Sequence, residues 1–415
     1  MYHIQKTSEY ITNAWQFSIK KRDKNPDFIL PYEFIPPCIS GSLTDLFYWD
    51  TYFTNKGLYA DGMAKYAYQN IENLKYCLRI FKCVPNMCTK GGADYASQPP
   101  LLVLMVKDYF EYSHDLEFLK DSVEALELEY EFWMKERITP TGLNRYGTNF
   151  DFAKYGTNLE GYAKRVGLDI STWTEAQKVD CEINKVSEGE SGEDHTPRFN
   201  LLAAQINPID LNAYLYAFEC LLSEFSTLVG KDAKVWQERA KLRKERIKKY
   251  CFDPQTGVYF DYDFKKNERT GIYCVACYLP FVFGIQEDKN EAKRAVEKIN
   301  AYLVRDFGVT SCQEVETHGQ HYQWGYPNAW APHNYWACVA NQEVGLNEKA
   351  EEIRLKWLNT VATEFEKSGK LYEKYDAVVG GKATINEYGL PEMLGWTAGI
   401  FQAFYKNAYT MYKTK

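Results

Sequence analysis

A chain of 415 residues with 49 basic and 56 acidic side chains carries a formal charge of −7. That mild acidity argues against nucleic acid or an anionic membrane as the main partner, because both require a basic surface. A compact chain of this length buries roughly three quarters of its unfolded surface, which suits one large domain or two ordinary ones.

The first 24 residues mix Lys6, Glu9, Lys20 and Arg22 with aromatics and lack the apolar core and cleavage site of a secretory leader. Leu101–Phe110 and Leu116–Arg137 predict an antiparallel helix pair that turns at Tyr112-Ser113-His114-Asp115. Leu119, Val123, Leu126, Tyr130 and Trp133 recur there at helical spacing, with acids on the other face. Leu211–Leu228 predicts a second strong helix, entered through Asn207-Pro208-Ile209-Asp210 with Asp210 as its N-cap and closed by Gly230. Asp232–Tyr250 reads as a charged helix facing water. Asp253–Gly257 is a turn, and the alternating Val258–Tyr262 is a short strand or extended loop. Glu287–Phe307, Asn347–Lys367 and Trp396–Tyr412 predict three further helices.

Strand signals are short and never alternate with helices in a β-α-β register, and no linker divides the chain. The expected fold is therefore all-α: a helical toroid running over residues 1–415 as a single domain, with short strands or extended loops at one face. A solenoid is the competing architecture, but no residue pattern repeats at a fixed period. The longest stretches free of charge, Thr270–Gln286 and Thr317–Gln342, are too interrupted by Pro, Gly, Asn, Gln and His to cross a bilayer. Eleven cysteines, an odd number scattered from Cys38 to Cys338, read as reduced thiols, which places the protein in the cytoplasm. Cys274 and Cys277 form a C-x-x-C inside an apolar run with no second pair, and are expected to be buried bystanders rather than a metal site. Aromatics at 16% fit either sugar stacking or a core rich in large rings.

Six aromatic, polar segments interrupt the helical pattern, and such segments on a rigid scaffold are where sites concentrate. They are Phe47–Phe53, Val84-Pro85-Asn86, Ser97–Pro100, Glu190–Phe199, Gln323–Pro332, and Tyr372–Asp376 with Asn386-Glu387-Tyr388 and Gly395-Trp396. Singly, each has a bland explanation. Together, and in this order, they resemble the trehalases of glycoside hydrolase family 37 along nearly the whole chain. Tyr48-Trp49-Asp50-Thr51-Tyr52-Phe53 matches Y-W-D-x-Y-F, Val84–Asn86 matches I-P-N, and Ser97–Pro100 matches S-Q-P-P. Glu190–Arg198 is similar to E-S-G-x-D-x-S-x-R, with Thr196 for Ser. Pro208–Ala213 matches P-x-D-L-N-A, and Glu373–Asp376 matches E-K-Y-D. The Thr-Pro-Arg form of the central motif also resembles family 63 hydrolases.

The resemblance implies an (α/α)6 toroid and an inverting hydrolase of an α-glucoside or related small sugar, working without cofactor or metal. It implies Asp194 as general acid and Glu373 as general base. Such chemistry needs two carboxyls about 6.5–9.5 Å apart, one protonated and one ionised. Two residues so distant in sequence meet only if the fold closes on itself. The resemblance further implies sugar binding by Tyr48, Trp49, Asp50, Asn86, Gln98, Gly192, Arg198, Trp324, Glu387 and Trp396. Four departures stand beside these matches. Two arginine positions hold Ser42 and Ala96, the Asp of Q-W-D is Gly325, and the R-P-E element has only Lys164-Arg165-Val166-Gly167 as its nearest basic candidate. They point to an aglycone other than the second glucose of trehalose. Three alternatives stay open: a family-63-like α-glucosidase acting on a small polar aglycone, an inactive sugar-binding relative, and an epimerase or eliminase using His195, His318, His321 or His333.

Overall fold

The computed structural model describes residues 2–20, 30–41, 43–88, 96–386, 389, 392 and 394–409. Its helices are α1 (Tyr2–Ser18), α2 (Tyr48–Ala60), α3 (Ala64–Phe81), α4 (Leu102–Ser113), α5 (Leu116–Glu136), α6 (Phe152–Tyr155), α7 (Glu160–Val166) and α8 (Glu175–Ser191). There follow α9 (Ile209–Leu228), α10 (Lys234–Tyr250), α11 (Leu279–Val282), α12 (Lys289–Leu303), α13 (Ala331–Glu343), α14 (Asn347–Ser368) and α15 (Trp396–Tyr405).

Six of these, α2, α4, α9, α11, α13 and α15, pack side by side around a closed ring, with α15 returning to α2. Helices α3, α5, α10, α12, α14 and α1 lie against them on the outside. This is an (α/α)6 toroid. The ring closes where Gly57 meets Gly399: a Cβ on Gly57 would stand 2.5 Å from the Gly399 Cα, an approach that only bare backbone allows.

Burial explains which helices the sequence displays. The outer α12 buries Ala292, Ala295, Val296, Ile299 and Leu303, one face at helical spacing. The inner α2 is buried continuously from Tyr48 to Leu58, and α13 from Ala331 to Asn341. A helix covered on every side has no polar stripe and hence no readable period. The segment Phe47–Phe53 is accordingly the start of a helix rather than a loop. The acidic run from Glu188 likewise belongs to α8 as far as Ser191.

Two other expectations need correction, and one is narrowed. Asp210 lies inside the first turn of α9, whose N-cap is Pro208 with no side-chain cap, because the Asp210 carboxylate is taken by Arg198. Of the strand or extended loop foreseen at Val258–Tyr262, most is extended loop, and the strand is β2 (Tyr262–Asp263), paired with β1 (Ile206–Asn207) and β3 (Glu268–Arg269). The helix foreseen through Phe307 stops at Leu303, where the chain turns into a hairpin of β4 (Val304–Arg305) and β5 (Gly308–Val309). A last antiparallel pair, β6 (Asn328–Trp330) and β7 (Lys374–Asp376), sets Trp330 opposite Lys374. Among the described residues, no helix is long and apolar enough to cross a membrane.

Candidate active site

Inner and outer helices alternate in direction, so all six inner helices present their N-termini at one end of the ring. The motif residues gather at that end. Trp49 and Asp50 stand in the first turn of α2, Gln98 just ahead of α4, Trp330 at the N-cap of α13, and Trp396 opens α15. The partial positive charge of helix N-termini favours carboxylates there.

Glu373 immediately precedes β7 and is 1% exposed. Its Oε2 lies 3.2 Å from Lys374 Nζ, and its carbonyl accepts a 3.1 Å hydrogen bond from Trp396 Nε1. Asp194 follows α8, which stops at a left-handed Gly192 with φ +79°. It is partly exposed, while Glu193 and His195 on either side are buried. Asp50 couples the two. Its carboxyl is held well above the usual range, chiefly by burial, then by the negative charges of Glu373 and Asp194. Three carboxyls therefore share one small region, and each disfavours ionisation of its neighbours.

The loop bearing Asp194 is fixed from several sides. Glu190 takes two bonds from Arg137 (2.7 and 2.9 Å), one from Gly147 N–H at 2.7 Å and one from Ser97 N–H at 2.9 Å. Glu188 accepts from Leu201 N–H at 2.7 Å and Thr196 N–H at 3.4 Å, and burial raises its carboxyl to about 8, with the Asp194 charge adding to the rise. His195 holds φ +53°, sets Nδ1 3.0 Å from the Tyr162 hydroxyl of α7, and stacks on Tyr322 at 4.7 Å. Burial lowers its imidazole to about 4, so it is neutral near pH 7.

Arg198 does not face the site. Its side chain is fully buried, with Nε and Nη2 on Asp261 (2.7 and 3.0 Å), Nη2 and Nη1 on Asp210 (2.6 and 3.2 Å), and Nη1 3.4 Å from Glu193. Glu193 also lies 3.1 Å from His333 Nε2. The guanidinium thus ties the acid loop to α9, to the approach to β2 and, through Glu193, to α13. Tyr48 is likewise turned into the core, donating to Glu129 and accepting from Leu102 N–H at 2.9 Å.

The remaining candidates converge. Trp49, Trp324, Trp330 and Trp396 form a cluster, with Trp324 stacked on Trp330 at 3.6 Å and Trp49 and Trp396 tilted or edge-on at 5.6–6.0 Å. Gln98 Oε1 accepts from Trp49 N–H at 3.0 Å. Gly192 lets the Trp49 indole approach, since a Cβ there would stand 2.5 Å from the ring. Asn86 bonds through its backbone to Tyr48 and Ala96, and its side-chain Oδ1 is buried without a partner among the described residues. Glu387 and Ser42 lie outside the described residues. Ala96 is buried, and a Cβ at Gly325 would meet Tyr322 at 3.0 Å and Pro197 at 3.2 Å. Arg165 is exposed on α7, the helix whose Tyr162 touches the acid loop.

The charged framework of Arg137, Glu188, Glu193, Asp261 and Lys374 escaped the sequence reading, and His333 entered it only as a candidate histidine for an epimerase or eliminase. Lys374 had a signal, standing next to Glu373 in the same motif. Asp261 had none, because its partner Arg198 is distant in sequence. Among the described residues, no cluster of three or more His, Cys, Asp or Glu side chains is arranged to hold a metal ion.

The trehalase family model matches residues 20–408. A trehalase of Homo sapiens is 30% identical over 398 residues, covering 89% of this chain and 66% of its own length. A trehalase of Apis mellifera is 28% identical over 399 residues, covering 89% and 62%. The chain thus spans about two thirds of the length of these relatives. Among solved structures, the neutral trehalase of Saccharomyces cerevisiae aligns with TM-score 0.76 at 23% identity over 97% of this chain and 80% of that one. The GH63 mannosylglycerate hydrolase of Thermus thermophilus aligns with TM-score 0.65 at 15% identity over 96% and 99%.

Proposed function

The chain belongs to the trehalase family, and from that premise we propose that it is an inverting glycoside hydrolase acting on an α-glucoside, as a single catalytic domain. Asp194 is the general acid and Glu373 the general base. The observation that carries this reading is the opposite surroundings of the two carboxyls. Glu373 has a lysine ammonium against it, which favours the ionised form a base requires. Asp194 follows the negative end of α8 and has no lysine beside it in sequence, which favours the protonated form an acid requires. Pairs of carboxyls whose environments push them apart in this way mark the acid and base of a hydrolase.

Protonation of the glycosidic oxygen by Asp194 would assist departure of the aglycone, while Glu373 would take a proton from the water that attacks the opposite face of the sugar. Asp50, Gln98, Asn86 and the Trp49–Trp324–Trp396 cluster supply hydrogen bonds and ring faces for the glucose unit. No cofactor enters these proton transfers. The free cysteines fit a reducing compartment such as the cytoplasm.

The aglycone is a small polar group other than the second glucose of trehalose. Ala96 offers no charge where the resemblance expects an arginine, and Gly325, packed tightly by Tyr322 and Pro197, supplies no carboxylate. A buried sugar hydroxyl that lacks a charged partner forgoes about 1.5–3 kcal/mol. A glycerate-type aglycone, as bound in a crystal of the family-63 neighbour, is the alternative to test first. A panel of trehalose, other α-disaccharides and glucosylglycerate, assayed for released glucose, separates these readings. Trehalose turnover at about 10⁴ M⁻¹s⁻¹ or above would show that the missing arginines are replaced, with Arg165 the first residue to test. Release of glucose from no α-glucoside would leave a sugar-binding relative.

A further inference from the structure

We infer that Lys374 is a positioning residue that keeps Glu373 ionised and aimed, so that this one lysine sets the acidic limit of activity. The inference rests on Glu373 acting as the base.

A lysine that is 0% exposed is costly unless its charge is used. The Lys374 ammonium lies 3.2 Å from Glu373 Oε2, 3.3 Å from Gln323 Oε1 and 4.6 Å above the Trp330 ring. Each contact has a structural cause. Pairing of β6 with β7 sets Trp330 opposite Lys374, so the ammonium meets an indole face, and Trp330 is itself stacked on Trp324. Gln323 precedes Trp324 and belongs to the same wall. The lysine is thereby fixed by groups that also build the sugar-facing cluster, with the Glu373 carboxylate beside it.

Among the described residues, two other titratable groups couple to Glu373. They are Asp50 from α2, whose carboxyl is raised well above the usual range by burial and then by Glu373, and the thiol of Cys38, raised to about 12 by burial, then by Glu373 and Asp50. Asp194 bears on the same Asp50 from beyond α8. Burial of Glu373, and any negative charge on these neighbours, oppose its ionisation, and Lys374 offsets them. An adjacent opposite charge stabilises an ionised carboxylate by roughly 1–3 pK units.

The test titrates Glu373 itself. In protein labelled at glutamate Cδ, the Glu373 resonance is assigned by its loss in Glu373→Gln and followed against pH in wild type, Lys374→Met, Lys374→Gln and Lys374→Arg. Loss of the cation should move the midpoint upward by about one unit or more, and Lys374→Arg should restore it. The acidic limb of kcat/KM on the best α-glucoside should move by the same amount, with activity recovering at higher pH. An unchanged midpoint in both neutral variants overturns the inference. If one neutral variant does not fold, the other is compared with Lys374→Arg. A midpoint that moves without the rate limb leaves Lys374 in its place and removes Glu373 as base.

Discussion

Glu373 and Asp194 belong to one reaction in the proposed mechanism, yet they are held in opposite ways. Glu373 is fully buried, sits at the root of a paired strand, and has its cation one residue away. Asp194 is partly exposed on a turn beyond α8, among acids. Its loop is instead held by charges from distant segments: Arg198 with Asp210 and Asp261, Arg137 with Glu190, His333 with Glu193. A base can be built from a short motif. A general acid that must stay protonated, and still reach the leaving oxygen, needs a scaffold that keeps cations in its second layer, bound to other carboxylates.

The strongest way to break that comparison is to neutralise each carboxyl. Asp194→Asn and Glu373→Gln should each lower kcat by roughly 100- to 10,000-fold while sugar binding by calorimetry survives. A variant that keeps a tenth of the wild-type rate loses its assigned role. Stability should separate the two sides next. Arg198→Met removes the cation from buried Asp210 and Asp261 and should cost about 3–5 kcal/mol in urea unfolding, as should Glu373→Ala, which removes the carboxylate beside buried Lys374. Asp194→Ala, at a partly exposed position, should stay within about 1 kcal/mol. Equal losses for Asp194→Ala and Glu373→Ala would erase the asymmetry.

The acid side should also respond to pH at both ends. His195 titrates near 4 when folded, against an ordinary 6.5. The unfolded chain therefore binds the extra proton, and stability present above 6.5 is lost as pH falls toward 4, by up to about 1.4 kcal/mol per unit. Glu188 titrates near 8 when folded, against 4.5. Here the folded chain keeps the proton, so stability present below 4.5 is lost as pH rises toward 8. His195→Gln should flatten the acidic slope and Glu188→Gln the alkaline one, read from unfolding midpoints at pH 5, 6.5 and 8. If neither slope changes, these groups do not sense the fold as described. The smallest effect belongs to Tyr162→Phe, which removes one hydrogen bond to His195 and should cost about 1 kcal/mol, with a modest fall in kcat and unchanged KM. A loss as large as that of Arg198→Met would make α7 a principal support.

The sequence made the outer helices visible, because α5, α10, α12 and α14 each bury one face and wet the other. Of the inner helices it displayed α4, α9 and α15 but hid α2 and α13. Tyr48–Leu58 and Ala331–Asn341 are buried all round and mix aromatic with polar residues such as Asp50, Asn55, Lys56, His333 and Asn334, so no polar stripe marks a helix and the segments resembled loops. The residues at the site's centre were legible, since Trp49, Asp50, Gln98, Asp194, Glu373 and Trp396 lie in short contiguous motifs. Arg198 was legible as important but not as buried, because Asp210 and Asp261 meet it only after the ring has closed. Tyr48 carried the same ambiguity, which Glu129 on α5 resolves toward the core.

Stereochemistry tests the two-carboxylate reading most directly. Proton NMR of the first minutes of hydrolysis of the best α-glucoside should show β-glucose appearing before mutarotation, as expected when water activated by Glu373 attacks opposite a leaving group protonated by Asp194. Initial release of α-glucose would mean a covalent, retaining pathway and would contradict the assignment of both residues.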